Sequence, residues 1–195
     1  MFTFTLLLSL WARILLPVLL PAAPVPPVNA ATPTDALVVE KFNNEQLTWS
    51  AHRRLTWEDF KGQPDEENKH HALTAANLAV NAKCKDNQYT YIVNCVFLPE
   101  QSWTKNKHSE KLLIHEQLHF DLTEVHARQL RRDLQQLDCK RIKTDLNAVV
   151  ANAFKNWKAE QDHFDQASRH GVDKQEQQVW AAGIAKRLQQ LESYQ

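Results

Sequence analysis

The chain has 195 residues, 43% of them hydrophobic, and its 23 Lys and Arg balance 23 Asp and Glu. That composition excludes a disordered or fibrous protein and predicts one compact domain. So even a charge balance gives no electrostatic reason for nucleic acid or an anionic membrane to be a partner.

Residues 1–30 read as a cleaved export signal. Arg13 precedes the apolar run ILLPVLLPAA, and the Pro-rich stretch after it ends in Val28-Asn29-Ala30, the small-x-small form that signal peptidase accepts. Pro17 and the shortness of the run argue against a spanning helix, which needs ~20 apolar residues. The mature chain, 31–195, is therefore expected to be periplasmic or extracellular, without stable membrane insertion. It keeps 22 Lys and Arg against 23 Asp and Glu. Its three cysteines, Cys84, Cys95 and Cys139, would meet an oxidising compartment, where one disulfide can form and one thiol is left over.

Residues 36–98 are β-rich: ALVVEKF, LTWS, then ALTAANLAVNAKC and YTYIVNCVFL on either side of Lys85-Asp86-Asn87-Gln88. With Asp86-Asn87 as a two-residue turn, 84 faces 89, 82 faces 91, 80 faces 93 and 78 faces 95. That register places Leu78, Val80, Ala82, Cys84, Tyr89, Tyr91, Val93, Cys95 and Phe97 on one face, which predicts a hairpin with one buried side. It also sets Cys84 and Cys95 roughly 20 Å apart, beyond the reach of a disulfide, so any bond joins Cys139 to Cys84 or Cys95. Trp49, Trp57, Phe60 and Trp103 read as core anchors, because aromatics at strand ends and short turns usually bury area.

Residues 107–195 are helical. The pattern predicts helices over about 107–137, 142–167 and 173 to the end, the last opened by Asp173 and Glu176 in a capping-box arrangement after Gly171. The expected fold is therefore α+β, a small N-terminal antiparallel sheet followed by three helices.

The first helix carries His115-Glu116-Gln117-Leu118-His119. At 100° per residue His119 lies about 40° from His115 and Glu116 about 100°, in the same inward hemisphere as Ile114, Leu118, Leu122, Val125, Leu130, Leu134 and Leu137. Gln117, Asp121, Glu124, Arg128 and Arg131 occupy the opposite, outward hemisphere. Two inward imidazoles one turn apart can meet a single tetrahedral ion, and a carboxylate between them can reach a water on that ion without binding it. A catalytic zinc takes a third protein ligand. His126 shares the face but sits about 10.5 Å further along the helix axis. Asp121 and Glu124 point away, so the ligand comes from His52, His70, His71, His108, His163, Asp165 or His170. His170 is favoured because it adjoins Gly171, where the chain turns and can approach a neighbouring helix closely.

LTWEDFKG (55–62), Ser102-Trp103, LLIHEQLHFDLTEVHARQLR (112–131) and HFDQASRHGVDKQEQQVW (163–180) together resemble the predicted secreted zinc-dependent proteases grouped as domain of unknown function 922. The resemblance spans most of 45–180. It implies a zincin-like metallopeptidase with an active-site helix after a sheet, its HEQxHFD block on His115 to Asp121 and its T-x-H-G block on Ser168 to Gly171, with Ser168 in place of threonine. The expected chemistry is peptide hydrolysis with one Zn²⁺ held by His115, His119 and His170. In that scheme Glu116 takes a proton from the zinc-bound water and passes it to the leaving amine. Asp165 would orient a ligand imidazole from outside the metal shell, and His126 would steady the oxyanion. Zincins generally align an extended peptide along an exposed strand edge, a role open to residues 76–97. Two rival readings use the same residues: a non-catalytic zinc-stabilised module of the cell envelope, and a zinc amidase acting on cell-wall material.

Overall fold

The computed structural model describes residues 46–195; the expected export signal and the ALVVEKF segment lie outside the described residues. The strands are β1 (Leu47–Thr48), β2 (Ala72–Leu73), β3 (Ala76–Lys85), β4 (Gln88–Phe97) and β5 (Trp103–Thr104), followed by helices α1 (Glu110–Leu134), α2 (Ile142–Ser168) and α3 (Lys174–Gln190). An antiparallel sheet of order β1-β4-β3 and a small pair β2-β5 precede the three helices, an α+β arrangement.

The hairpin has the expected register, with Cys84 opposite Tyr89, Ala82 opposite Tyr91, Val80 opposite Val93 and Leu78 opposite Cys95. Asp86 and Asn87 both have φ near +55°, at 51° and 60°, the left-handed pair that a tight primed turn requires. Leu78, Ala82, Val93, Cys95 and Phe97 are buried against α1. Phe97 continues this core into Phe60 and Phe120, with ring centroids 5.1 and 5.8 Å away. Trp57, Phe60 and Trp103 are buried core anchors. The half-buried Trp49 donates its indole N–H to Asp121 at 2.9 Å.

Of the two bonds open to Cys139, the structure has Cys84–Cys139, with Cα atoms 5.5 Å apart. It ties the hairpin tip to the turn between α1 and α2. Closing a chain segment of 55 residues removes unfolded-state entropy worth about 4 kcal/mol on the loop-closure model. Cys95 stays a buried free thiol whose pKa burial pushes well up.

Helix α1 starts where Ser109 accepts a hydrogen bond from the Leu112 N–H at 3.2 Å, and no Gly or Pro interrupts it. It is shorter at both ends than the 107–137 pattern. A larger correction concerns its polar hemisphere, which does not face water: Gln117, Asp121, Glu124 and Arg128 are all buried. The reason is that α1 is the central element: the sheet, α2 and α3 all pack on it, and residues 49–55 cover the side that remains. Gln117 accepts from the Leu55 N–H at 2.7 Å and donates to Asp121 at 2.8 Å. Asp121 also receives Arg54 at 3.1 Å. Glu124 is held by Arg128 and Arg131, each at 2.9 Å, and these arginines reach the main-chain carbonyls of Leu188 and Tyr194. Buried charges persist only when paired and hydrogen-bonded in this way. Conversely, Ile114, placed on the inward face by the wheel, is 51% exposed.

Candidate metal centre

His115 and His119 lie one turn apart on the flank of α1 that meets α2. The facing stripe of α2 is Gln161, Phe164, Asp165 and Ser168, the i, i+3, i+4, i+7 set of one helix face. Phe164, fully buried, lies against both imidazoles with centroids 4.8 Å from each. Against that apolar backing three atoms converge. His115 Nε2 is 3.0 Å from Asp165 Oδ1, His119 Nε2 is 3.1 Å from the same oxygen, and the two Nε2 atoms are 3.1 Å apart.

The far nitrogens define what these atoms are. Nδ1 of His115 meets Gln177 Oε1 at 3.2 Å, and Nδ1 of His119 meets Gln161 Oε1 at 2.6 Å. Amide oxygens accept, so both Nδ1 atoms carry the proton and both Nε2 atoms present lone pairs. While both rings are neutral, two lone pairs and a carboxylate oxygen thus point at one another. Such a triangle repels itself unless a positive charge sits on it. Ligands at ~2.0 Å from a tetrahedral ion stand about 3.3 Å apart, close to the observed edges, so the donor set fits a zinc-type ion with room for one further ligand. The electrostatics agree. Burial works against charging His119, but the Asp165 hydrogen bond and the Glu116 and Asp165 charges together raise its pKa above the ordinary histidine value. Burial likewise opposes the Asp165 carboxylate, yet hydrogen bonds and charge from the two histidines hold its pKa far below the usual range.

Glu116 is 3% exposed and lines the adjoining cleft of about 750 Å³. Its main-chain carbonyl accepts from the Thr74 hydroxyl at 3.1 Å, which ties the helix to the segment after β2. No hydrogen bond to its carboxylate is present among the described residues. The cleft is walled by residues 69–76 on one side and by α2 on the other, with Leu73 and Val172 exposed at its rim.

Of the seven residues open to the third position, the structure brings Asp165, rather than His170, into the triangle. α2 ends with Arg169 and His170 in left-handed conformation, φ 51° and 52°, followed by Gly171 at 75°. That turn carries the His170 ring outward: it is 53% exposed, its Nδ1 lies 3.3 Å from Asp165 Oδ1, and it meets the His70 ring at 4.6 Å. Gly171 itself needs to be glycine, because a Cβ there would stand 3.0 Å from both His115 Cγ and Gln177 Oε1. His70 and His71 line the cleft wall, and His163 packs on the Trp180 ring at 5.3 Å. His52 and His108 are exposed and do not line the cleft.

His126 does not line the cleft either. Its Nε2 binds Glu160 at 2.7 Å, and Glu160 also pairs with Arg187 on α3, so the three form a clamp between all three helices. Burial opposes the Glu160 carboxylate, but the hydrogen bonds and charges of His126 and Arg187 outweigh it and lower the pKa from 4.5 to about 2. A depressed folded-state pKa contributes stability above the unfolded value, and that stability is lost as pH falls from about 4.5 through about 2. Glu160→Gln is therefore expected to be less stable than the wild type at neutral pH, with the gap closing over that window in denaturant titrations. A gap that stays constant down to the lower limit would refute the clamp.

Gln161, Gln177, Phe164 and Thr123 were not singled out from sequence. Gln161 and Phe164 share the α2 face of Asp165, so the helical stripe through that aspartate was the available signal. Gln177 comes from α3, and no local pattern joins it to His115. No curated protein and no solved structure shows a significant match to the chain. Residues 50–171 match the family model described as bacterial protein of unknown function (DUF922), a stretch that holds the histidine pair, Glu116 and Asp165, and the chain belongs to that family.

Proposed function

We propose that this chain is an exported zinc-dependent peptidase. The observation that carries this reading is the convergence of His115 Nε2, His119 Nε2 and Asp165 Oδ1 at 3.0–3.1 Å on the floor of an open cleft, beside the Glu116 carboxylate, which has no hydrogen-bond partner among the described residues. His115, His119 and Asp165 would hold one Zn²⁺, which when bound lowers the pKa of a water towards ~7 and polarises the scissile carbonyl. The protein's own residues do the rest. Glu116 accepts the attacking water's proton and hands it to the departing amine. Phe164 and the helix packing keep bulk water from the back of the imidazoles.

Two histidines and a carboxylate also suit iron. Glu116 favours hydrolysis, because a general base next to the site is what a hydrolase needs and an oxygenase does not. β2 favours a peptide substrate. Among the described residues it pairs only with β5, and its residues line the cleft, so an extended backbone can lie along it while Leu73 and Val172 offer apolar contact. An open cleft and an idle carboxylate are both surplus to a purely structural zinc module. Export is supported by the Cys84–Cys139 bond, since such bonds persist in oxidising compartments. No helix among the described residues is long and apolar enough to cross a membrane. Zinc-loaded protein should hydrolyse casein faster than peptidoglycan fragments. A clear preference for the fragments would replace the peptidase with a cell-wall amidase.

A further inference from the structure

We infer that Gln161 is a positioning residue that sets the tautomer of His119 before any metal arrives, through a hydrogen-bond chain whose polarity is fixed at both ends. At one end stands the Trp157 indole N–H, which can only donate; at the other stands the His119 main-chain carbonyl, which can only accept. Trp157 Nε1 lies 3.1 Å from Thr123 Oγ1, so that hydroxyl receives there. Its single proton goes to the His119 carbonyl at 2.8 Å. Gln161 Nε2 lies 3.0 Å from the same carbonyl and 3.0 Å from Thr123 Oγ1, and both contacts require the amide NH₂ on that side. The amide oxygen is thereby turned to His119 Nδ1 at 2.6 Å, where it can only accept. The proton is on Nδ1, and the Nε2 lone pair faces His115 and Asp165.

Every donor in the chain meets an acceptor, and turning the Gln161 amide over would set its oxygen against the His119 carbonyl and break the bonds to that carbonyl and to Thr123. Indole, hydroxyl, amide and carbonyl thus act together to aim one lone pair. The backing group is also a neutral amide, where histidine ligands commonly have a carboxylate behind them. Gln177 repeats this behind His115. The negative charge facing the triangle is therefore left to Asp165 and Glu116. The consequence for metal affinity rests on the zinc reading above; the tautomer does not.

The test uses ¹⁵N-labelled full-length protein without metal, with the histidine side-chain nitrogens observed at a pH where the ring is neutral. Wild type is expected to show His119 protonated on Nδ1. Predominant protonation on Nε2 would overturn the inference whatever the metal does. In Gln161→Leu, which fills the space but removes the acceptor, the tautomers should mix and zinc affinity by chelator competition should fall about 10–100-fold. Gln161→Glu keeps an acceptor at Nδ1, so it should hold the tautomer and bind zinc more tightly than the leucine variant. A leucine variant with unchanged tautomer and unchanged affinity would show that Gln161 only fills space. If wild type and variants alike took up no zinc, the peptidase reading would fall, and the apo tautomer would still decide the role of Gln161.

Discussion

Glu116→Gln is expected to reduce peptide hydrolysis by about 10²- to 10⁴-fold while zinc content stays at the wild-type level. The two side chains have nearly the same shape, and the carboxylate takes part in no hydrogen bond among the described residues, so the exchange leaves no partner stranded. Glu116 packs 3% exposed, and the amide occupies the same space. What the variant loses is the ability to take a proton and give it back. Measuring kcat and bound zinc on the same preparation separates this from a folding defect. Turnover within about tenfold of wild type would remove Glu116 from the chemistry.

A second large effect separates Asp165 from His170. Asp165→Ala deletes the one negatively charged corner of the triangle, and zinc affinity is expected to fall by more than the ~10–100-fold that outer-shell changes cost. His170→Ala removes a half-exposed ring that touches Asp165 from outside, and its cost should stay within that range. Stability gives an independent reading, because a ligand at a hundred times its Kd stabilises the fold by about 2.7 kcal/mol. Added zinc should raise the unfolding midpoint of wild type and of His170→Ala, and leave Asp165→Ala unmoved. The reverse pattern would restore His170 as the third ligand.

How much of this was legible in the sequence depended on how local the determining physics is. The hairpin was readable because strand alternation and a left-handed Asp86-Asn87 turn act within two dozen residues, and its register then excluded Cys84–Cys95. The choice between Cys84 and Cys95 for Cys139 was not readable, since it depends on where the turn after α1 meets the sheet. The histidine pair was readable from helical spacing alone. The polar side of α1 misled because amphipathicity reports hydrophobicity, whereas burial here is satisfied partly by ion pairs within the helix and partly by Arg54 and the carbonyls of Leu188 and Tyr194, which are distant in sequence. Asp165 and His170 were separated by a backbone event. The left-handed conformation of Arg169 and His170 swings the histidine out, and neither residue type demands that conformation. One turn earlier, Asp165 still lies on the regular helix face that meets α1.

The most direct measurement is X-ray absorption at the zinc edge on protein loaded with one equivalent of metal. Two imidazole nitrogens, one carboxylate oxygen and one exchangeable water oxygen are expected around a single ion, with one imidazole lost in His119→Ala. A third imidazole in the first shell, sulfur ligation, or failure to retain one zinc per chain would contradict the centre built from His115, His119 and Asp165.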